Sequence, residues 1–456
     1  MKVLIFIEHD IVIRHFIHSE VFNDLINRHD VKFVFPEPGN KRVKTNIDAL
    51  NLSAVFMRLT VHQKRLKLWK RLFIADSFRW RTGRQFRNSR YFRRKTIGLK
   101  ASILYYFLSL PYVFSILKFW TLFNIRLNPN NKLERFLDKE DPDVIIHPSI
   151  LEGVYINDLI SISNDRNIPL VVIMNSWDNP STKKAIVGCP DWLLVWGEQT
   201  MGHAIKYMGM RENRIKKFGA AQFDIYRKTP RVSRDEFCRK HNINAASMIL
   251  LYAGSSKQTN EFDHLIKIDE AISNGEIGDM VVVYRPHPWG GGGKEGGQII
   301  DHDWKNIRLE ESMREYLVNV RDNKVKGINL ADYRNTHDVL SSVDALVSPL
   351  STILIEGALH NKPVICFMPN DENEATHFKI TAPLIHFEDM YKKPEFLIAD
   401  GNKQLVPKIK ELFKISKNIN YSENLQKACQ FFVSNYDKSY SERLNEFIEK
   451  EVYIDK

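Results

Sequence analysis

Short apolar runs recur along the chain, and each is followed by a polar loop and then by a longer amphipathic stretch. Runs of four to six residues suit buried strands, whereas the amphipathic stretches suit helices that cover a sheet. This alternation is typical of α/β domains with parallel sheets, because parallel neighbours need a helix-length crossover between them. The first half contains seven candidate strands, at residues 3–7, 31–35, 54–58, 144–147, 170–174, 192–196 and 215–218.

The length of the chain predicts two domains. At 456 residues it exceeds what one hydrophobic core usually organises. A polar stretch without strand patterns at 227–246 separates the halves, and a new strand opens the second half at 248–253. We predict an N-terminal domain at 1–228, a C-terminal domain at 229–420 and a final helical segment at 421–456 that packs towards the first domain.

One segment accounts for the positive charge of the chain. Residues 64–100 include fourteen Lys or Arg and a single acidic residue, Asp76, a local net charge of +13 in a chain of net charge +11. Aromatic residues are interspersed, and an uncharged apolar stretch follows at 101–117. We predict that 62–128 is an insertion in the first domain and that 64–124 rests on the inner face of an anionic membrane, since basic and aromatic residues together suit a headgroup layer.

Two other interpretations of this insertion stay open. It could be a pair of solvated helices with a basic face, or a surface that grips nucleic acid. No nucleic-acid recognition motif accompanies it, so we expect no nucleic acid as a partner. A membrane span is disfavoured, because seventeen helical residues cover about 25 Å of a hydrocarbon core of about 30 Å, and Pro111 interrupts the run.

The cysteines indicate a reducing compartment. Cys189, Cys238, Cys366 and Cys429 lie far apart, with no Cys-x-x-Cys pair and no metal-ligand spacing. The first apolar run, at 3–7, is too short for the core of a signal peptide. We therefore expect a cytoplasmic protein that is peripheral on the membrane.

Polar residues follow three strands of the first half. Glu8-His9-Asp10 follows the first strand, His147 ends the fourth, and Asp178 lies in the loop after the fifth. Ligands of open α/β sheets bind at the carboxyl ends of the strands, and an enzyme that activates a hydroxyl group needs a base within hydrogen-bond reach of it. The candidate bases, in order, are Asp178, Asp10, His147 and His9, although Asp is also a common turn residue and His often satisfies backbone groups.

The second half places groups suited to phosphate at its strand ends. Gly254, Ser255 and Ser256 form a small-residue turn after the strand at 248–253, where free backbone N–H groups favour an anion. Arg285 and His287 follow the next strand in the sequence Arg-Pro-His-Pro. The prolines hold the backbone, and the guanidinium fork suits phosphate, so we predict a rigid phosphate clamp.

A second signature lies about sixty residues further on. We expect the apolar residues 339–348 to end in a buried strand, after which Ser351 and Thr352 begin a helix and Glu356 follows one turn later. Hydroxyl and N–H groups at the helix start suit phosphate, and a carboxylate can accept both hydroxyls of a ribose. A helix start capped by its own side chains is the alternative.

Taken together, these motifs resemble the C-terminal domain of GT-B glycosyltransferases. The Arg-Pro-His-Pro segment is similar to that of bacterial sialyltransferases, Kdo transferases and CDP-glycerol-dependent glycerophosphotransferases. Residues 175–179, 190–196 and 219–224 also resemble stretches of bacterial surface-polysaccharide transferases. The resemblance implies two Rossmann-like domains that face a cleft, with Gly254, Ser255, Ser256, Arg285, His287, Ser351, Thr352 and Glu356 binding the donor.

The chain departs from many retaining GT-B enzymes, since it lacks their Arg/Lys pair, their paired-glutamate spacing and a convincing Asp-x-Asp metal site. We therefore expect an inverting sugar transfer without metal or other cofactor. The expected partners are a nucleotide-sugar donor, with a cytidine nucleotide favoured, and a glycan or lipid-linked acceptor of the cell envelope. Two alternatives remain: a polyol-phosphate transferase that uses CDP-glycerol or a relative, and a nucleotide-sugar epimerase. A catalytically inactive scaffold on the membrane is a third, disfavoured by the intact Arg285, His287 and Glu356.

Overall fold

The computed structural model describes residues 1–453 apart from 40–41, 59–62, 80–83, 150–154, 183–186, 256–258, 289–295, 323, 325–331, 371–374 and 417. The chain divides into two compact units. Unit 1 comprises Met1–Asp224 with Phe432–Lys456, and unit 2 comprises Ile225–Phe431. The predicted final segment, 421–456, is therefore split: its first part belongs to unit 2 and the rest to unit 1.

Unit 1 is built on a seven-stranded parallel sheet in the order β3-β2-β1-β4-β5-β6-β7. All seven strands predicted for the first half are present. The central strands are buried on both faces, as their continuous apolar runs require. The strands are β1 Lys2–Phe6, β2 Asp30–Pro36, β3 Ala54–Met57, β4 Val144–His147, β5 Leu170–Ile173, β6 Trp192–Val195 and β7 Ile215–Lys217.

Helices connect these strands and make up the insertion. The α-helices are Asp10–Val12, Asn23–Arg28, Gln63–Phe78, Arg84–Ile97, Leu99–Leu108, Pro111–Leu127, Asn131–Glu140, Ile156–Arg166, Asn179–Thr182, Glu198–His203 and Tyr440–Phe447. Ile13–Ile17, Ala204–Met208 and Ile448–Val452 are π-helical, and Asp48–Leu50, Glu212–Arg214 and Ala221–Arg227 are 3-10 turns. The last of these turns contains the boundary between the units.

Unit 2 contains a six-stranded parallel sheet in the order β10-β9-β8-β11-β12-β13. Its strands are β8 Met248–Ala253, β9 Met280–Arg285, β10 Ile307–Leu309, β11 Ala345–Pro349, β12 Val364–Met368 and β13 Leu397–Asp400. Its helices are Arg234–Lys240, Glu261–Ser273, Gly296–Asp301, Glu311–Arg321, Tyr333–Ser342, Ile353–Leu359, Ala375–Thr381, Ile385–Tyr391, Asn402–Gln404, Leu405–Ile415 and Ile419–Cys429.

One strand of the second signature is shorter than predicted. Residues 339–342, expected in the strand, end the helix Tyr333–Ser342, and β11 begins only at Ala345. Tyr333, Thr336, Val339 and Leu340 are buried on that helix. Seven of the ten residues of the helix are buried, so the buried run continues from the helix towards the strand and conceals the boundary between them.

The insertion forms a series of helices. Among the described residues, no single helix is long and apolar enough to cross a bilayer. Leu99–Leu108 and Pro111–Leu127 pass that test of length and composition only as a pair, and they are bent by 88° with respect to each other. Pro111 stands at the start of the second helix, where its missing N–H costs nothing.

Candidate functional site

The carboxyl ends of β1, β4 and β5 lie side by side, because these strands are neighbours in the sheet of unit 1. Glu8 follows β1 and is buried, and its Oε1 lies 3.0 Å from His147 Nε2 and accepts the backbone N–H of Tyr155 at 3.0 Å. His147 Nδ1 lies 2.7 Å from the carbonyl oxygen of Ser149. A carbonyl only accepts, so Nδ1 carries a hydrogen and donates it.

His147 is thus held on both ring nitrogens. Its predicted role as a base would require it to give up one of these contacts, and its geometry favours a role in positioning the loop after β4. Glu8 was not predicted as a site residue. Its position directly after the first strand, next to His9, is the signal that could have indicated it.

His9 differs from His147 because one of its ring nitrogens makes no hydrogen bond. Nδ1 of His9 is buried and has no hydrogen-bond partner. Burial, with the nearby Arg42 and His147, lowers the pKa of His9 from 6.5 to about 4, against the opposing influence of Glu8 and Asp10. His9 is therefore neutral at physiological pH, and a neutral imidazole can accept a proton.

Asp10 is engaged in loop structure. Its carboxylate accepts the backbone N–H groups of Lys44 and Thr45 at 3.0–3.1 Å and the Thr45 hydroxyl at 2.8 Å. The N–H of Asp10 in turn donates to the carbonyl oxygen of Arg42 at 3.1 Å. These contacts tie the loop around residue 44 to the end of β1, so the geometry favours a structural role over the predicted catalytic one.

Asp178 lies at the start of the four-residue helix Asn179–Thr182. Its side chain is buried and accepts the Ser176 hydroxyl at 2.7 Å, and its carbonyl oxygen accepts the Thr182 N–H at 3.0 Å. The amide of Asn179, oriented with its nitrogen towards these oxygens, donates to Asp178 Oδ1 at 2.9 Å. These are the contacts of a turn residue, and a catalytic role for Asp178 stays a prediction.

In unit 2, a buried carboxylate organises the turn after β8. Glu261 Oε1 accepts the backbone N–H of Ser255 at 2.7 Å and the Thr259 hydroxyl at 2.9 Å, and Oε2 accepts the Tyr284 hydroxyl at 2.5 Å. A Cβ at Gly254 would lie 2.5 Å from Glu261 Oε2, so only glycine fits there. Burial raises the pKa of Glu261, partly offset by its hydrogen bonds.

This arrangement changes the predicted phosphate turn. The Ser255 N–H, expected to face an anion, donates to Glu261 instead, and the helix begins at Glu261 rather than directly after the turn. Ser256 lies outside the described residues. Sequence reasoning missed Glu261, because a carboxylate in the first turn of a helix resembles an ordinary dipole-stabilising residue.

Arg285 ends β9 and is 4% exposed. Its Nε lies 3.6 Å from Oε2 of Glu310, and both side chains are buried. Nη1 of Arg285 is buried and has no hydrogen-bond partner. A guanidinium nitrogen left unpartnered away from water is costly, so the position favours an anionic ligand.

Glu310 orients the guanidinium and was not predicted. It accepts the N–H of Ser312 at 3.0 Å and the Ser312 hydroxyl at 2.7 Å at the start of the helix Glu311–Arg321. His287, two residues after Arg285, is half-buried. The glycine-rich segment 289–295 lies outside the described residues.

Ser351 and Thr352 precede the helix Ile353–Leu359, which has seven residues. The Thr352 side chain does not cap this helix, and both residues are partly exposed. The alternative of a self-capped helix start is thus not what the structure has. β11 and β8 are adjacent, so these hydroxyls belong to the same edge of the sheet as Gly254 and Arg285.

Glu356 is buried on the helix Ile353–Leu359 and accepts the hydroxyl of Tyr226. The Tyr226 ring packs on His360 and His337, with ring centroids at 4.5 Å and 5.4 Å. His360 Nδ1 donates to the Glu356 carbonyl oxygen at 2.7 Å. The predicted ribose-binding carboxylate is therefore held in place by aromatic neighbours, and Tyr226 is a partner that the sequence did not reveal.

No group of three His, Cys, Asp or Glu side chains that could hold a metal occurs within the described part of the chain. The sequence also contains a loose acidic cluster, which lies outside the described residues: Asp371, Glu372 and Glu374. The expectation of metal-independent chemistry without a cofactor stays a prediction.

A match to a family model shows which protein family this chain belongs to. Residues 187–450, more than half of the chain, match the family described as CDP-Glycerol:Poly(glycerophosphate) glycerophosphotransferase. The chain belongs to this family. The resemblance drawn from Arg285, His287 and their neighbours is thereby confirmed, and the protein is a transferase of the kind that builds cell-surface polymers.

The matched region contains every predicted donor-binding residue and none of the predicted bases, which all precede residue 187. A comparison with curated proteins found no match. The family model therefore covers the predicted donor-binding residues and leaves the predicted bases outside the match.

Solved structures support the predicted fold. The UDP complex of MnaA from S. aureus aligns at a TM-score of 0.53 with 12% identity, over 98% of this chain and 96% of that one. The UDP-GlcNAc 2-epimerase from Neisseria meningitidis, bound to UDP-GlcNAc, aligns at 0.52 with 12% identity, over 99% and 100%. At such identities the likeness shows the fold alone, which is the GT-B fold of two Rossmann-like domains expected from the sequence.

Proposed function

We propose that this enzyme transfers a polyol phosphate, such as glycerol phosphate, from a CDP-linked donor to a hydroxyl group of a cell-surface polymer. The observation that carries the proposal is the buried, unpartnered Nη1 of Arg285, within the region matched by the family model. A diphosphate supplies the anionic oxygens that this nitrogen lacks. Family membership thus favours the polyol-phosphate alternative over the sugar transfer expected first from the sequence.

Unit 2 would bind the donor. Arg285 would hold a diphosphate oxygen, with Glu310 keeping the guanidinium in orientation. The Ser351 and Thr352 hydroxyls and His287 would contact the same phosphates. Glu356, held by Tyr226, would accept the ribose hydroxyls. The backbone around Gly254 and Ser255, held by Glu261, would line the same sheet edge as a rigid wall.

Unit 1 would bind the acceptor, and His9 is the base that its geometry supports best. Neutral His9 would take the proton of the acceptor hydroxyl as that oxygen attacks the phosphorus next to the polyol. A phosphodiester bond forms, the bond to the CMP oxygen breaks, and CMP leaves with its developing charge balanced by Arg285. Asp178 is the next candidate base.

Sugar transfer from a nucleotide-linked donor is the second candidate. It is favoured by the same pair, Arg285 and Glu356, because a diphosphate and a ribose are common to nucleotide-sugar donors and CDP-linked polyols.

The proposed compartment is the cytoplasm, at the membrane. The four cysteines are unpaired, with three of them buried, which agrees with a reducing environment.

Product mass distinguishes the two candidates. Purified enzyme is incubated with an acceptor glycan and with CDP-glycerol, CDP-ribitol, CMP-, UDP-, GDP- or dTDP-linked sugars in turn. Polyol-phosphate transfer adds a phosphodiester and releases CMP, whereas sugar transfer adds a hexose-type mass and releases a nucleotide. Conversion of a UDP-sugar without any acceptor would instead indicate an epimerase and overturn the proposal.

A further inference from the structure

Exposed apolar side chains are concentrated on one part of unit 1. Of the nineteen exposed large hydrophobic side chains in the described part of the chain, thirteen lie between residues 99 and 127. Single exposed hydrophobic residues are ordinary, but a contiguous group of this size on a protein surface marks an interaction site.

Eleven of these thirteen side chains form one stripe on each of two helices, and the other two are Leu104 and Leu122. On Leu99–Leu108 the exposed positions follow the spacing of a single helical face and continue into the bend: Leu99, Ile103, Tyr106, Phe107 and Leu110. On Pro111–Leu127 the same spacing recurs at Tyr112, Ile116, Phe119, Trp120, Phe123 and Leu127. Residues three or four apart share a helix face, so each helix presents a continuous apolar surface.

The opposite faces of these helices are used by the insertion itself. Phe114 of the second helix packs with Leu72 and Ala75 of the helix Gln63–Phe78, and Tyr105 packs against Phe78 with ring centroids 5.9 Å apart. Tyr106 lies at the margin of the first stripe, because it is 40% exposed and its ring also packs edge-on against Phe78 at 5.0 Å. The stripes are otherwise not the core-facing side of either helix. They are the side that the folded unit leaves uncovered.

The charges beside the stripes are of one sign. Residues 99–127 contain three basic residues and no acidic one, and the adjoining helix Arg84–Ile97 contains six basic residues and no acidic one. Arg87, Arg94 and Lys95 on that helix, and Lys100 on the next, are exposed. An apolar face flanked by unbalanced positive charge is complementary to an apolar layer covered by negative charge.

The bend limits how deep this surface can enter a bilayer. The two helices have ten and seventeen residues, about 15 Å and 25 Å long at the usual rise, and they meet at 88°. Neither is long enough for a hydrocarbon core of about 30 Å. Tyr106, Tyr112 and Trp120 on the stripes are residue types that favour the boundary between headgroups and chains.

We propose that Leu99–Leu108 and Pro111–Leu127 form a monotopic docking surface that inserts its apolar stripes into one leaflet of a membrane containing anionic lipid. The basic side chains of Arg84–Ile97 contact the headgroups. The proposal does not rest on the transferase activity. It gives an enzyme that acts on a membrane-linked polymer a fixed attachment to the surface where that polymer is made.

Vesicle flotation of the full-length protein tests the docking surface. Wild type is expected to float with vesicles of phosphatidylcholine and phosphatidylglycerol, and at least ten-fold less with phosphatidylcholine alone. Ile116→Asp should lower binding to the anionic vesicles at least ten-fold. Ile419→Asp, a change of the same kind at an exposed isoleucine of unit 2, should bind like wild type.

The electrostatic part has its own pair of variants. Arg87→Glu with Arg94→Glu and Lys95→Glu should weaken binding at low salt, whereas Lys403→Glu with Lys410→Glu and Lys414→Glu, an equal charge change on unit 2, should not. Equal binding of wild type to neutral and anionic vesicles would contradict the role of charge. Unchanged binding of Ile116→Asp would overturn the proposal.

A second copy of the chain is the competing occupant of the stripes, and sedimentation distinguishes it. If the stripes cover a dimer interface, wild type sediments as a dimer without lipid, Ile116→Asp sediments as a monomer, and neither floats with vesicles. That combination of results would show that the stripes bind a second copy of the chain and not a membrane. Loss of flotation with an unchanged monomeric state supports the membrane.

Discussion

Arg285 is the residue on which the proposed donor site depends most. Its guanidinium is buried, oriented by Glu310 on one side and left without a partner at Nη1. We expect Arg285→Lys to raise the KM for a CDP-linked donor at least ten-fold, because lysine lacks the planar fork and a charge-assisted bond contributes about 1.5–3 kcal/mol.

The control for this prediction is Arg314→Lys, at an exposed arginine on the helix Glu311–Arg321. The KM for the donor should not change in that variant. Both proteins are compared by thermal melting, so that a loss of stability is separated from a loss of affinity. An unchanged KM in a folded Arg285→Lys would remove Arg285 from the donor site.

His9 provides the matching prediction for the acceptor side. Replacing it by glutamine should lower kcat about 10²- to 10⁴-fold, the range that a general base contributes, with little change in donor KM. His18→Gln, at an exposed histidine nearby in sequence, is the control. If His9→Gln keeps full activity while Asp178→Asn loses it, Asp178 is the base instead.

Two buried histidines of unit 1 predict how stability depends on pH. Burial lowers the pKa of His15 from 6.5 to about 3, and burial with Arg42 lowers that of His9 to about 4. Both are neutral when folded but bind protons when unfolded below pH 6.5. Their contribution to stability is full above pH 6.5 and declines as pH falls towards 4.

Urea unfolding at pH 7.5 and pH 5.0 measures this effect. Each histidine should account for a loss of about 2 kcal/mol at pH 5.0, since one pKa unit corresponds to about 1.4 kcal/mol. The variant His15→Gln should lose less stability between the two pH values than wild type does. An identical pH dependence in both proteins would show that His15 is not protonated on unfolding in this range.

At the scale of elements, the turn after β8 depends on one close approach. Gly254 lies against the Glu261 carboxylate, which also holds the Ser255 N–H. Gly254→Ala should destabilise unit 2 by about 1–3 kcal/mol, because the added methyl group would lie within 3 Å of a buried oxygen. Gly202→Ala, in a helix where the methyl group would meet nothing within 4 Å, should be tolerated. Chemical denaturation of both variants checks the difference.

Elements also show where local patterns mislead. The run at 339–348 combines the last turns of a helix with the first residues of β11. Both are apolar where they face the core, so periodicity alone does not mark their boundary. Strands bounded by polar loops on both sides, such as β1, β4 and β5, were predicted within a residue or two. The apolar run of each such strand gives way abruptly to polar residues at its ends.

At the scale of the whole molecule, a helix that follows unit 2 in the chain, Tyr440–Phe447, packs in the core of unit 1. Residues of the helix Tyr440–Phe447 pack on the core of unit 1: Tyr440 against Phe218 and Phe447 against Trp192, with ring centroids at 5.1 Å and 5.2 Å. Ser441 Oγ accepts the N–H of Asp24 at 2.8 Å. Unit 1 therefore cannot complete its core until the helix Tyr440–Phe447 has been synthesised.

The fully buried Leu444 tests this dependence. Leu444→Ala should destabilise unit 1 by about 2–5 kcal/mol, the usual range for a leucine removed from a packed core. Ile419→Ala, at an exposed position on the helix Ile419–Cys429, should change stability by less than about 0.5 kcal/mol. Hydrogen exchange shows which unit is destabilised. Increased exchange confined to unit 2 would contradict the assignment of the helix Tyr440–Phe447 to unit 1.

The fold class, the strands of unit 1 and the positions of Arg285, His287 and Glu356 could be predicted from the sequence. They follow from hydrophobic periodicity and from polar residues placed at strand ends, and both are local properties of the chain. The partners of each polar group were not accessible in that way. Glu261 engages Ser255, Lys44 and Thr45 engage Asp10, and Arg285 Nη1 has no partner, because these outcomes depend on side chains brought together by packing. A sequence thus indicates which groups reach the edge of a sheet, whereas the contacts made there determine which of them remain available for chemistry.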